Sequence, residues 1–176
     1  MIDKFIDFFP FFTLIADTLL VFILVYWLIF RKKENDKIIV FLRNYGLILA
    51  FAFTIMATGG SLLYSEYAYY PPCKLCWFQR IFMYPQVIIL GIAVWKKHES
   101  VKLNAFILSV IGSLFAVYHY LTQRFPDFID STCRIGETDC SFTHGFDYGY
   151  ITIPIMALTA FLYIIFFTSI WQKYNK

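Results

Sequence analysis

The four cysteines of this chain form two closely spaced pairs, and the first pair carries the strongest chemical signal. Cys73 and Cys76 make a Cys-x-x-Cys motif at the start of an apolar stretch, and Arg80 follows four residues later. A helix N-terminus presents unpaired amide donors and a partial positive charge, and both favour a thiolate. The pattern therefore predicts a redox-active thiol pair in which Cys76 is acidic and reactive, with Arg80 on the same helix face.

The second pair, Cys133 and Cys140, lies in a polar segment. A disulfide between them would close a loop of about eight residues and contribute about 2.5 kcal/mol in the chain-entropy model. An accessible disulfide in such a loop suits attack by a partner thiolate. Two other interpretations stay open, a purely structural disulfide and a zinc site made by all four cysteines. The spacing of the second pair is unlike that of zinc knuckles, so we expect no metal.

Two charged residues inside apolar stretches have competing interpretations. Arg80 is placed to stabilise a thiolate or to bind an electron-rich carbonyl oxygen, such as that of a quinone head group; the alternative is that it extends to lipid phosphate. Asp17 is a functional candidate because burying a carboxylate in a membrane span costs free energy. Such residues are therefore rare and usually have a function. Helix tilt and interfacial water are the simpler explanation for Asp17.

The composition determines the class of protein. Of 176 residues, 60% are hydrophobic, 22% are aromatic and only 15% are charged. One water-soluble core cannot enclose that much apolar surface, so lipid must cover part of it. The formal charge of +3 gives no indication of nucleic acid binding. We therefore predict an integral membrane protein.

Five apolar stretches are long enough to cross a bilayer as helices. They cover residues 9–30, 45–64, 77–95, 103–121 and 150–171. The first has no basic leader and no small-residue cleavage site, so we interpret it as a retained helix rather than a signal peptide. Small residues in the second and fourth spans predict that these two helices touch. Pro85 and Pro154 fall inside the third and fifth spans and predict bends.

The distribution of basic residues predicts the orientation. Ten of the fifteen lysines and arginines lie between residues 31 and 43, between 96 and 102, and in the C-terminal tail. The positive-inside rule places these segments in the cytoplasm. The N-terminus and all four cysteines then face outward, where thiols meet oxidants rather than the reducing cytosolic pool.

Four motifs occur in a distinctive order, and together they resemble those of a known family. They are the segment 73–85, His119 within 117–123, the pair Cys133 and Cys140, and the segment 150–154. This order resembles the disulfide-bond-formation protein B family (DsbB), most closely its short branch in Gram-positive bacteria called BdbC. The resemblance covers roughly residues 45–171. In the related vitamin K epoxide reductase-like proteins the Cys-x-x-Cys follows the loop pair, so the order here favours the first family.

The resemblance implies a four-helix transmembrane bundle that acts as a quinone-dependent protein-disulfide oxidoreductase. Such proteins reoxidise an extracytoplasmic thioredoxin-like thiol oxidase, DsbA-like or BdbD-like, and pass two electrons to ubiquinone or menaquinone. By motif matching, Cys76 would contact the quinone, and Arg80 and His119 would line its site.

The resemblance also implies an order of disulfide exchange. Cys133 would form the mixed disulfide with the partner. Cys140 would form a disulfide with Cys73, so that Cys73 exchanges with the loop pair. The loop cysteines are closer together here than in the Gram-negative branch, which leaves the detailed order of rearrangement open.

These predictions divide the chain into two parts. Residues 1–44 form an additional N-terminal transmembrane helix and a cytoplasmic loop, and residues 45–176 form the DsbB-like four-helix bundle. The predicted location is the bacterial cell membrane, with the C-terminus in the cytoplasm. The alternative function is a non-catalytic membrane anchor or assembly protein whose outer-loop disulfides are structural.

Overall fold

Five long helices build the fold of the described residues, which in this computed structural model are 8–31, 36–96, 100–126, 140, 141 and 146–171. The helices are α1, Phe8–Phe30; α2, Lys37–Leu62; α3, Lys74–Lys96; α4, Ser100–Arg124; and α5, Ile153–Ile170. Each is long and apolar enough to cross a membrane. The prediction of an all-α, multi-pass membrane protein, a four-helix bundle with one extra N-terminal helix, is confirmed.

The helix ends follow from local sequence. Helix α2 starts well before residue 45 because Asp36 caps it: the carboxylate accepts hydrogen bonds from the backbone N–H groups of Ile38 and Ile39 at 3.0 and 3.4 Å. In α5, Pro154 lies in the first turn, where its missing N–H leaves no helical hydrogen bond unmade. The prediction that Pro154 bends the interior of its helix was therefore wrong. Pro85 does lie inside α3.

Helices α2 to α5 pack as a ring, in which neighbours in sequence touch and α5 closes against α2. Helix α1 stands outside the ring, against α5 and α2. The predicted packing of the second span on the fourth was wrong, because α2 and α4 lie on a diagonal. Their small residues instead accept side chains from other helices. Gly112 of α4 accommodates the ring of Phe161, and Gly60 of α2 faces the ring of Phe9.

The main apolar core occupies the half of the bundle remote from the Cys-x-x-Cys motif. Aromatic rings fill it, and Phe53 stacks on Tyr163 with ring centroids 3.9 Å apart. Outward-facing apolar side chains cover the helices on the other side, including Phe22, Ile88 and Leu114, which expose 74%, 67% and 65% of their surfaces. Lipid is the solvent that suits such a surface.

Candidate thiol site

A short connection between α2 and α3 delivers the first cysteine to a helix start. Helix α2 continues into a π-helical turn at Leu63–Tyr67, and Tyr69 then adopts a left-handed φ of 56°. Two prolines, which have no N–H to donate, precede Cys73. The Cys73 carbonyl accepts the Trp77 N–H at 3.1 Å, which makes Cys73 the N-cap of α3. The predicted helix start near Cys73 is confirmed.

Both thiols of the motif are free and form part of a polar group that we call the thiol cluster: Cys73, Cys76, Gln79 and His119. The two Sγ atoms lie 3.5 Å apart, and Nε2 of His119 lies 3.5 Å from Sγ of Cys73. Nε2 of the Gln79 amide lies 2.9 Å from Nδ1 of His119. An amide nitrogen only donates, so Nδ1 accepts and the ring proton resides on Nε2, facing Cys73.

This arrangement favours the thiolate at Cys73. The hydrogen bond from the Cys76 thiol is the largest cause that lowers the pKa of Cys73 to about 4; burial opposes it, and His119 lowers it further. The backbone N–H of Cys76 also donates to Cys73, as expected for an N-cap. The prediction that Cys76 is the acidic thiol of the free pair was wrong. Cys73, not Cys76, occupies the N-cap position and lies next to the imidazole of His119.

Arg80 lies one turn deeper and points toward α2. Its Nε donates to Oγ of Ser61 at 3.1 Å, and Nη2 donates to the Ser61 carbonyl at 3.0 Å. The guanidinium also lies over the rings of Trp77 and Tyr84, 5.5 and 6.0 Å from their centroids. These contacts hold the cation inside the bundle wall rather than at a lipid headgroup, so of the two interpretations of Arg80 they favour a role in the site.

The second cysteine pair is described only in part. Cys140 is fully buried, is disulfide-bonded, and packs in one cluster with Cys73 and Leu75. Because Cys73 and Cys76 are free, neither of them is its disulfide partner. Cys133 lies outside the described residues. The position of Cys140 brings a loop cysteine next to the thiol cluster, as exchange between the two pairs requires.

An apolar cavity of about 500 Å³ opens beside the thiol cluster. All four cluster residues and Arg80 contribute to its lining. All five helices contribute to the rest of the wall, which is mainly aromatic and aliphatic and includes Phe9, Phe53, Met56, Met83, Tyr84, Met156 and Phe161. A few convergent polar groups in a mostly apolar pocket are typical of small-molecule sites.

The donor atoms of Cys73, Cys76 and His119 lie within 4.8 Å of one another, close enough to hold a metal ion. This group contains two of the four cysteines of the suggested zinc site and a histidine that was not part of it. That the protein binds no metal stays a prediction.

Asp17 belongs to a second polar group, which we call the carboxylate cluster: Asp17, Tyr150 and Thr159. Its oxygens accept hydrogen bonds from Oγ1 of Thr159 at 2.6 Å and from the Tyr150 hydroxyl at 2.9 Å. Burial and the nearby carboxylate raise the pKa of Tyr150 to about 12, so this phenol remains a donor. One turn of α5 further along, the Tyr163 hydroxyl donates to the Ala16 carbonyl at 2.7 Å. Asp17 thus fastens α1 to the bundle.

The sequence reasoning missed three contributors to the site. Gln79 orients the imidazole, and its signal was a polar side chain inside an apolar span. Ser61, one of the small residues of the second span, holds Arg80. The N-terminal turns of α1, represented by Phe9, line the cavity; apart from Asp17, the apolar run of this helix does not indicate which face meets the bundle.

Comparison with known proteins gives a consistent result. The family model described as "Disulfide bond formation protein DsbB" matches residues 43–171. The chain is 40% identical over 121 residues to "Disulfide bond formation protein C" of Bacillus subtilis, covering 69% of this chain and 88% of that protein. It is 43% identical over 120 residues to a "Probable disulfide formation protein" of Oceanobacillus iheyensis, covering 67% and 82%.

A third relative is a "Probable disulfide formation protein" of Coxiella burnetii, 40% identical over 127 residues, with 72% of this chain and 86% of the relative covered. No solved structure matches the chain significantly.

Proposed function

The chain belongs to the disulfide bond formation protein DsbB family, and on that premise we propose that it passes electrons from an extracytoplasmic thioredoxin-like thiol oxidase to a membrane quinone. Family membership and five membrane-spanning helices make it a multi-pass membrane protein of disulfide formation. The quinone, the partner and the roles of individual residues belong to the proposal. So do the outward orientation of the cysteines and N-terminus and the division into residues 1–44 and 45–176.

One observation carries the proposal: a free thiol pair at the start of a membrane span opens into an apolar cavity that also contains a held cation. Cys73 and Cys76 both line the cavity, as does Arg80. Thiolate chemistry explains the pair, but it does not require an adjoining apolar space. A lipid-soluble electron acceptor does require one.

The cavity fits a quinone. Its volume of about 500 Å³ lies within the range of roughly 300–1,000 Å³ usual for small-molecule sites. Its aromatic and aliphatic wall suits a quinone ring and prenyl chain. The guanidinium of Arg80 and the polar edge of the thiol cluster suit the carbonyl oxygens. When bound, a quinone supplies a two-electron, two-proton acceptor.

Redox potentials explain why such an acceptor is needed. A strongly oxidising thiol oxidase has a potential near roughly −120 mV, whereas structural disulfides lie below about −300 mV. Reoxidising the first with the second would be uphill by about 8 kcal/mol for two electrons. A disulfide of this chain can therefore act as a carrier, but an external acceptor must drive the reaction.

The loop pair is proposed to receive the electrons first. A thiolate of the reduced partner attacks Cys133, the bond to Cys140 breaks, and Cys140 leaves as a thiolate. The second thiol of the partner then releases the oxidised partner, which leaves the loop pair reduced. Cys140 is buried beside Cys73, so it is placed to attack a Cys73–Cys76 disulfide at Cys73.

That attack releases Cys76 as a thiolate at the cavity wall, and Cys133 completes the loop disulfide by displacing Cys73. At this stage of the proposed sequence the loop pair is again a disulfide and Cys73 and Cys76 are both reduced. The Cys73–Cys76 disulfide re-forms when its two electrons pass to the acceptor. In balance, a partner dithiol and a quinone become a partner disulfide and a quinol.

The test is reduction of a short-chain quinone by purified protein supplied with a reduced thioredoxin-like thiol oxidase. Turnover should vanish in Cys76→Ser and persist in Ser169→Ala, a control in which an exposed hydroxyl is removed near the far end of α5. Equal turnover in Cys76→Ser would contradict the proposal. No turnover by folded wild-type protein with ubiquinone and menaquinone analogues would favour the alternative, an anchor or assembly protein with structural disulfides.

A further inference from the structure

Helix α1 lies outside the family match, which begins at residue 43, yet it forms part of the cavity wall. Its outer two and a half turns supply five lining residues: Phe8, Phe9, Phe12, Thr13 and Ala16. The portion of the chain that matches the family therefore does not enclose this cavity by itself.

Asp17 divides α1 into two parts with different packing. On the inner side, Leu20 is buried in the main core, and the ring of Trp27 meets Phe166 edge-on at 6.2 Å. On the outer side, α1 faces the cavity instead of a packed core. The hydrogen bonds from Tyr150 and Thr159 to Asp17 lie at the change between the two parts. The carboxylate cluster thus fixes α1 where it begins to border the cavity.

Two aromatic side chains dominate the outer part. Phe9 is half-buried, with its ring 5.4 Å from that of Tyr64 and against Gly60. Phe12 lines the cavity while exposing 44% of its surface, which places it at the rim. The Thr13 hydroxyl donates to the Phe9 carbonyl at 2.9 Å. Its polarity is thereby satisfied within the helix, and this wall remains apolar.

We propose that α1 is the lateral wall of the quinone site and that Phe9 and Phe12 contact the apolar part of the bound quinone. This inference rests on the proposed function. The cation and the thiols lie at the start of α3, so they bind the polar head, whereas the lining residues of α1 provide a mainly aromatic surface. A ligand with a carbonyl-bearing ring and a prenyl chain matches both walls. Residues outside the family match thereby help to determine which quinone is bound.

Photolabelling with an azido-substituted prenylated quinone tests the contact directly in the full-length protein. Peptide mapping should place label on the segment containing Phe9 and Phe12, and an excess of unlabelled quinone should remove it. Label confined to peptides of α2, α3 and α5, in protein that still reduces quinone, would overturn the inference and leave the proposed function intact. Absence of both competed labelling and quinone reduction would instead defeat the proposed function.

Variants test the same inference through binding affinity. Removing an aromatic side chain that lines the cavity, in Phe9→Ala or Phe12→Ala, should raise the concentration of competitor quinone needed for half-displacement by about tenfold. Phe22→Ala removes a lipid-facing ring of the same helix, 74% exposed, and should leave that concentration unchanged. Phe9→Leu keeps a large apolar side chain at the same position. It therefore serves as a control in case Phe9→Ala fails to fold. Equal affinity in all four variants would contradict a contact with α1.

Discussion

The thiol cluster and the carboxylate cluster are both polar groups enclosed by apolar helices, and they use hydrogen bonds in opposite ways. At Asp17, two hydroxyl groups converge on the carboxylate from α5 and the segment before it. At Cys73, the imidazole and the second thiol stabilise a thiolate that borders an open cavity. In the first cluster, the Asp17 carboxylate is held by hydrogen bonds in a fixed contact. In the second, the Cys73 thiolate remains accessible from the cavity, as the proposed reaction requires.

The difference shows how to interpret ionisable residues in membrane spans. A buried charge in a membrane protein suggests function by default, but its partners decide between anchoring and chemistry. Asp17 has partners that hold two helices together, whereas Cys73 has partners that change its protonation. An adjoining space for a ligand is present in both regions, because Thr159 also lines the cavity. The effect of the partners on the protonation of the buried group is therefore a better criterion than a neighbouring cavity for telling chemistry from anchoring.

Replacing the central residue of each cluster should give the largest contrast. Cys73→Ser should lower turnover by about three orders of magnitude or more, because the Cys73–Cys76 disulfide can no longer form, with little effect on the melting temperature. Asp17→Asn leaves a hydroxyl facing an amide N–H₂ and should lower the free energy of unfolding by about 1–3 kcal/mol. Its turnover with a saturating short-chain quinone should stay within about threefold of wild type, since an anchor acts on stability.

Thermal melting in detergent and quinone reduction measure both effects. The reverse pattern, an inactive Asp17→Asn protein of normal stability, would place Asp17 in the chemistry and remove the distinction between the clusters.

The pH dependence of the thiolate should give the next largest effect. A pKa of Cys73 of about 4 means that the thiolate persists as the pH falls from alkaline values and is lost only on passing through about pH 4. Ultraviolet thiolate absorbance, compared between reduced protein and Cys73→Ser, reports this titration. In His119→Leu the midpoint should rise by about one pH unit or more, since a hydrogen bond to the charged form is removed.

A wild-type midpoint near the ordinary thiol value would show that the cluster does not stabilise a thiolate. Glu66→Gln, which changes a carboxylate in the neighbouring π-helical turn, is a suitable control for general electrostatic effects.

Removing one supporting hydrogen bond from each cluster should give the smallest contrast. Gln79→Leu frees the imidazole to change tautomer, and a loss of about 1 kcal/mol at the thiolate would lower turnover roughly fivefold. Tyr150→Phe should lower stability by about 1 kcal/mol and leave turnover unchanged. With its pKa at about 12, the Tyr150 phenol donates at neutral and mildly alkaline pH alike. The stability deficit of Tyr150→Phe should therefore not vary over that range.

Melting temperature and turnover, measured in parallel on Gln79→Leu and Tyr150→Phe, test whether each variant affects only the predicted property. A turnover loss in Tyr150→Phe as large as that in Gln79→Leu would show that the two clusters are linked.

Much of this structure was accessible from the sequence, and the part that was not has a physical reason. The five spans follow from apolar runs, and the convergence of the Cys-x-x-Cys motif, Arg80 and His119 on one cavity follows from the family resemblance. The diagonal placement of α2 and α4 did not follow. Lipid-facing and core-facing side chains are equally apolar in a membrane protein, so hydrophobicity alone does not reveal helix neighbours. The link between Asp17 and Thr159 depends on the packing of α1 against α5, which hydrophobicity does not reveal either.

Arg80 is held by two oxygens of Ser61, both neutral, rather than by a carboxylate. Its positive charge is therefore not neutralised by those contacts. In the proposed cycle, the thiolate of the reduced pair offsets the guanidinium. Formation of the disulfide removes that anion and leaves the cavity positive, so each oxidation prepares an attraction for the next incoming thiolate. Under the proposed function, the site would alternate between near neutrality and positive charge with every round of electron transfer.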